Sequence, residues 1–252
     1  KIQRARKLQR EAFTLVELLV VVAIIAILAG ILIPVVGRAK TKAKVAATRV
    51  EMAGLETAIK SYKNDYSRWP APRNPTKNYY KGDITYGDPG WLENEALMDI
   101  LMAEDKQVPD GAGGTVSRGY NPGHSRNPKK NKYFEPKESG EENEFAGLSM
   151  YQPNNPRMSG RYHDPFGNEY FISLDYNGDG VCADAAYCPP TISKAEGGGL
   201  VGLVNYKTLK STAQDIYVYK GEVMIWSFGP DKAGGDVPAS EEPNKDNILS
   251  WR

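Results

Sequence analysis

One carboxylate stands inside the longest apolar run of this chain: Glu17, within "FTLVELLVVVAIIAILAGILIPVV" at residues 13–36. An acid at mid-membrane costs about 3 kcal/mol on insertion scales and less near an end from which it can snorkel, and acids found in such segments usually have a partner or a task. A second group lies at 175–186, "DYNGDGVCADAA". Asp175, Asn177 and Asp179 with Gly180 match the first half of an EF-hand calcium loop, D-x-N-x-D-G. The twelfth position holds Ala186 where the bidentate Glu belongs, so Asp184 would have to substitute, and an Asp/Asn/Gly turn after a strand accounts for the same residues. Cys182 and Cys188 are the two cysteines, with no histidine nearby to complete a metal set. Their spacing reads as a local disulfide of an exported domain, against two independent thiols. No catalytic constellation emerges: Gly-x-Ser-x-Gly, a Walker lysine and His-Glu-x-x-His are all missing, and His163-Asp164 reads as part of a turn before Phe166.

The elements that must carry these groups differ sharply along the 252 residues. Residues 13–36, 24 in number, make a helix about 36 Å long against a hydrocarbon core of about 30 Å. Residues 1–12 hold Lys1, Arg4, Arg6, Lys7 and Arg10 against Glu11, a net of +4, which leaves −3 for the remainder of a chain whose total is +1. The positive-inside rule then keeps the N-terminus cytoplasmic and exports the rest. A cleavable secretory signal has a shorter apolar region and a small-residue cleavage site after it; a plain signal anchor stays open. The weakly acidic exported part lacks the basic surface of a nucleic-acid binder, so no nucleic acid is expected as a partner.

Beyond Pro34, Met52, Leu55, Ile59, Tyr62 and Tyr66 form one helical stripe, and Pro70 stops the helix. Phe13 to Tyr66 is expected as a single helix about 80 Å long if Pro34 only kinks it. A second helix is expected over Trp91 to about Asp105, with Asp88-Pro89 as its start, and long loops over 106–165, with a short extended piece in "NPKKNKYFEP". "EYFISLD" reads as a strand, and "DIYVYK" and "EVMIWS" flank Gly221 closely enough for a hairpin over Asp215–Ser227. The layout is α+β, a long N-terminal helix packed on a small antiparallel sheet with loop-rich insertions.

The N-terminal run closely resembles the prepilin signal of type IV pilins and type II secretion pseudopilins. The resemblance implies cutting by a prepilin peptidase between Ala12 and Phe13, followed by N-methylation of Phe13. The family usually has Gly before the cut, so Ala12 is a departure. Glu17 is then the fifth residue of the mature chain, where the family keeps its acid, and Pro34 sits where many pilins have a helix-loosening proline. Cleavage frees an α-amine that is mostly cationic at neutral pH. That amine can pair with Glu17 of a neighbouring subunit, so processing switches assembly on. "LETAIKSYKNDYSRWP" resembles the family's end of this helix, and "HDPFGNEY" its Asp-Pro-aromatic-Gly-Asn turn into the sheet. The domains implied are a leader at 1–12, a transmembrane and filament-core segment at 13–36, an amphipathic second half at 37–69 and a globular domain at 70–252.

"SFGPDKAGGDVPASEEPNKDNILSW" resembles the C-terminal loop of the major pseudopilins, which holds calcium. Calcium takes six to eight oxygens. Asp231 and Asp246 are expected first as ligands, then Asp236, with the carbonyls of Ser227 and Phe228. The resemblance implies a filament subunit, not an enzyme, that drives protein export. Its partners would be copies of itself, an inner-membrane assembly platform with its ATPase, minor pseudopilins, and membrane lipid before assembly. The subunit would sit in the bacterial inner membrane, single-pass, and later in a periplasmic or extracellular filament. The alternatives are a surface pilin for adhesion, motility or DNA uptake and, from another class, a membrane-anchored binding module or enzyme.

Overall fold

The computed structural model describes residues 14–73, 79–80, 82–87, 92–109, 114–139, 146–149, 160–196, 198–211, 213 and 215–252. The leader with Ala12 and Phe13, and the expected helix start at 88–91, lie outside these. The chain divides into two compact units, Lys1–Ala43 and Lys44–Arg252. Helix α1, Leu15–Tyr66, contributes to both.

In the first unit α1 opens on a capping box. The Glu17 amide donates to Thr14 Oγ1 at 3.2 Å, and Glu17 Oε2 accepts from the Thr14 amide at 2.8 Å and the Thr14 hydroxyl at 2.7 Å. The following Leu, Ile and Val side chains are exposed around the helix, from Leu15 at 78% to Val21 at 47%. The segment is long and apolar enough to cross a membrane. Pro34 costs one backbone hydrogen bond, and α1 runs through it.

In the second unit four of the five residues of the expected stripe, Met52, Leu55, Ile59 and Tyr62, make the buried face of α1 with Thr48 and Ala58, and the fifth, Tyr66, is half-buried. Ser67, with φ 52°, takes the chain out of the helix, and its amide returns to the Lys63 carbonyl. The short strands β1 (Tyr79–Tyr80) and β2 (Asp83–Tyr86) follow. Helix α2, Glu95–Leu101, is shorter than expected. Its end is set by Ala103 at φ 58° and by the Glu104 amide bonding back to the Asp99 carbonyl. Where loops were expected, β3 (Lys106–Pro109) pairs with β4 (Thr115–Arg118), and β5 (Gly147–Leu148) with β6 (Tyr162–His163). The piece at 127–136 forms no strand; it is a turn and coil that packs Tyr133 and Phe134 on the core.

Beyond β7 (Phe171–Leu174) come helix α3 (Pro190–Ser193), the two-residue strands β8 (Lys194–Ala195), β9 (Gly198–Gly199) and β10 (Val204–Asn205), and helix α4 (Tyr206–Lys210). The chain ends with β11 (Tyr217–Val218), β12 (Val223–Ser227) and β13 (Ile248–Leu249). The main sheet is antiparallel with order β1-β2-β7-β12-β13. Register places Ile84, Leu174 and Val223 in one row and Tyr86, Ile172 and Ile225 in the next, and these six share the core with the α1 stripe. The opposite face carries Phe171, Met224, Trp226 and Leu249, covered by Tyr187, Ile192 and Leu203. Two buried faces explain why β12 reads as an unbroken apolar run rather than an alternating one.

The expected hairpin across Gly221 is not formed. β11 pairs with β10, Val204 opposite Val218, and Tyr219 bridges to Cys182, while β12 lies between β7 and β13. The Gly221 amide turns back to the Tyr219 carbonyl, so the chain leaves one layer before it joins the other. The doubly buried β12 takes the longer partner β7, with which it pairs over four positions.

Candidate functional site

Three places carry the chemistry singled out above. At the head of α1, Glu17 Oε2 takes both Thr14 donors. The acid therefore has a task within its own chain, capping the helix. The α-amine expected as its partner belongs to Phe13, outside the described residues.

The C-terminal loop runs from the end of β12 to β13. The turn at 164–168 anchors it. Asp164 accepts from the amides of Phe166 and Asn168 through Oδ1, and from Asn168 Nδ2 and the Ser227 hydroxyl through Oδ2. Asn168 also donates to the Gly229 carbonyl at 2.8 Å. Gly229 sits at φ 73°, and an added Cβ there would run into the Asp246 carbonyl. Buried Asn244 staples the far side, accepting from the Gly235 amide and donating to the carbonyls of Gly235 and Val237.

Within this frame the carboxylates of Asp231, Glu242 and Asp246 converge, with ligand oxygens all within 4.8 Å of one another. Two of the expected ligands are brought together. Asp236 is not in the group; it lies instead on the rim of a cavity of about 410 Å3 lined by Phe171, Tyr187, Trp226 and Phe228. Ser227 is fully buried in β12 with its hydroxyl on Asp164, and the Phe228 ring packs edge-on against Phe171 and Trp226. Glu242 is the residue that sequence reasoning missed. Its signal was its place in the same acidic loop, four residues before Asp246 and just ahead of the turn Asn244–Asp246. Asp246 Oδ2 accepts from the Asp231 amide at 3.3 Å, whereas Oδ1 is buried and has no hydrogen-bond partner. Burial, with Asp231 and Glu242 alongside, pushes the Asp246 carboxyl above its ordinary range. Hard oxygen donors, mutual repulsion and an orphaned buried oxygen fit a divalent cation such as calcium. Asp231, Glu242 and Asp246 would hold it, and it would supply charge neutralisation and loop order.

The loop at 175–180 is closed on its own backbone. Asp175 accepts from the amides of Gly178, Asp179 and Gly180, Asn177 from Asp179, and Asp179 from Val181. These side-chain oxygens are engaged by the loop's own amides; among the described residues the group of three His, Cys, Asp or Glu side chains whose ligand atoms converge is Asp231, Glu242 and Asp246. The loop is instead anchored by buried Asp83, whose two oxygens accept from the Tyr176 and Ala183 amides. Burial, with Asp175 close by, raises the Asp83 carboxyl to about 7. Asp184 caps the next turn through the Ala186 and Tyr187 amides and accepts from Ser173 and the Trp226 indole.

The expected disulfide is not formed: Cys182 and Cys188 are buried thiols. Cys182 packs with Tyr187, Met224 and Trp226, whereas Cys188 packs with Val181, Ala183 and Val218. The two side chains thus serve different apolar clusters, and burial raises the Cys182 thiol well above its usual value.

Against known proteins, the family model for the prokaryotic N-terminal methylation motif matches residues 8–33. The match takes in Arg10, the cut expected after Ala12, Thr14, Glu17 and the apolar run as far as Ile33, and it supports a pilin-like subunit with a membrane-inserting head. No curated protein and no solved structure matches the chain.

Proposed function

We propose that this chain, with an N-terminal methylation motif at its head, is a filament-forming pseudopilin most like the major subunit of type II secretion. The observation that carries the reading is the overlap of the matched segment with the start of α1, where Thr14 and Glu17 form the capping box. The subunit waits in the inner membrane with its N-terminus cytoplasmic. A prepilin peptidase cuts between Ala12 and Phe13 and methylates Phe13. The new amine then pairs with Glu17 of a neighbouring copy. Glu17 can serve both tasks, since Thr14 occupies one of its two oxygens. Removing one partner of such a buried pair typically costs about 3–5 kcal/mol, enough to couple processing to assembly. An inner-membrane platform and its ATPase add subunits, minor pseudopilins join the filament, and its growth pushes folded substrates outward.

The converging carboxylates of Asp231, Glu242 and Asp246 support secretion, because a calcium loop there is what the resemblance implies. The β3–β4 hairpin in the insertion favours the second reading, a surface pilin, since such an insertion can decorate a fibre.

Intact mass and N-terminal sequencing of the protein from its native membrane and from sheared filaments test the reading. A chain beginning at methylated Phe13 is expected in the filament fraction. A chain still bearing its basic leader in both fractions would overturn it. Deletion of the gene separates the two roles: lost export with surface fibres unaffected is the expected result for the secretion subunit.

A further inference from the structure

We infer that Arg68 and Arg126 form a binding site for a multiply charged anion of the phosphate class. The site lies in the second unit, beside the C-terminal end of α1, and does not depend on the filament reading.

The turn at 121–131 is held by a network of side-chain hydrogen bonds. Buried Asn121 accepts from the amides of Arg126 and Asn127. Fully buried Asn127 donates to the carbonyls of Ile100 and Asn131 and accepts from the Tyr66 hydroxyl, which itself accepts from the Lys129 amide. The Arg126 carbonyl takes both the Tyr62 hydroxyl and, at 2.9 Å, Arg68 Nη2. The backbone is therefore preorganised, and it holds Arg68 against the Arg126 main chain, near enough for the two charges to repel.

Neither guanidinium has a carboxylate partner among the described residues, and that of Arg126 donates to no acceptor there. Both Nε atoms are buried without a hydrogen-bond partner. Burial and the Arg68 charge lower Arg126 from its ordinary value, as expected of like charges held together. Lys129 adds a third cation: its ammonium and the Arg68 guanidinium lie 5.4 and 5.6 Å from the same Tyr66 ring. Among the described residues Asp65, 3.8 Å from Lys129, is the single acid paired in this group, leaving a local net of +2 there. A planar guanidinium fork matches phosphate oxygens in paired hydrogen bonds, and two forks with a local +2 suit an anion that carries two or more negative charges.

Calorimetric titration of the full chain in detergent with inorganic pyrophosphate at low salt tests this. Saturable one-site binding is expected. Arg126→Gln should weaken it at least about tenfold, the loss of one charge-assisted interaction. Arg126→Lys should fall between the two, because charge remains and the fork is lost. Arg126 is the first choice because its guanidinium donates to no other described residue; circular dichroism and an unchanged Tm show that the fold survives. Binding that is absent in the wild type, or undiminished in Arg126→Gln and in Arg68→Gln, overturns the site. A competing oligothymidylate separates two sources of the phosphate. Displacement of pyrophosphate supports a phosphodiester polymer as ligand, and its failure to displace supports a small phosphate compound.

Discussion

Single residues settle the meaning of the acids. Glu17 first reads as an unpaired charge in hydrocarbon, yet the structure makes it the third helical residue of a capping box, with Thr14 donating twice to one oxygen. Glu17→Gln keeps the shape and weakens the acceptor, so filament yield should fall sharply while membrane insertion stays. Immunoblots of sheared and membrane fractions check this, and a Gln variant that assembles at the wild-type level would sink the pairing mechanism. Asp83 shows the opposite environment, a carboxyl raised to about 7 mainly by burial. A raised carboxyl binds its proton more tightly in the folded chain. The stability this provides is present below the ordinary carboxylate range and is lost as pH rises through about 7. Unfolding midpoints should therefore decline from about pH 4 to pH 7 and level off above it, and Asp83→Asn, which cannot titrate, should flatten that part of the profile.

Elements carry the next level of argument. The α1 stripe was legible because a period of 3.6 places Met52, Leu55, Ile59 and Tyr62 on one face, and all four are at most 1% exposed. Leu55→Ala or Ile59→Ala should destabilise the second unit by about 2–5 kcal/mol, read by denaturant unfolding, since neighbours on a sheet cannot collapse into the gap. Strand partners were less legible. The run through Val218 and the run through Ile225 look like a hairpin in one dimension, because proximity along the chain is all that periodicity records. The structure sends the first to β10 and the second to β7, since only β7 offers a second buried surface of matching length. Asn94 stabilises a junction of the same kind, with its side chain accepting from the Tyr162 amide and donating to the carbonyls of Tyr162 and Tyr170. Asn94→Ala leaves those groups unsatisfied and should cost about 1–3 kcal/mol in the same measurement.

At the scale of the whole molecule, the C-terminal loop offers the sharpest test. If Asp231, Glu242 and Asp246 hold calcium, a hundredfold excess of ion over Kd stabilises the fold by about 2.7 kcal/mol. Melting curves should then rise by several degrees with calcium and fall back with a chelator. Asp231→Ala with Asp246→Ala, or Glu242→Ala alone, should abolish the shift, whereas Asp236→Ala should preserve it. The sign of the pH dependence follows from Asp246, whose carboxyl is raised by burial and by Asp231. Without the ion, its contribution to stability is lost as pH rises; with the ion, falling pH brings protons into competition and weakens binding. A calcium shift that grows on acidification would contradict the site.

What the sequence by itself determined is the part governed by local chemistry and one-dimensional period. That includes the apolar span with its acid, the buried stripe of α1 and the α+β class, which follow from side-chain polarity at fixed spacing. The methylation-type head and the pairing of Asp231 with Asp246 came from the resemblance of those segments to the pseudopilins. Tertiary structure alone decided the rest. Glu242 rather than Asp236 joins the acidic group because a turn, not sequence distance, sets which carboxylates meet. The loop at 175–180 spends its oxygens on its own amides, and Cys182 and Cys188 belong to different clusters. Arg68 and Arg126, 58 positions apart, stand together only because the turn at 121–131 folds back onto the end of α1. Such meetings depend on long-range packing, where a few ångströms decide whether an acid pairs, caps or ligates.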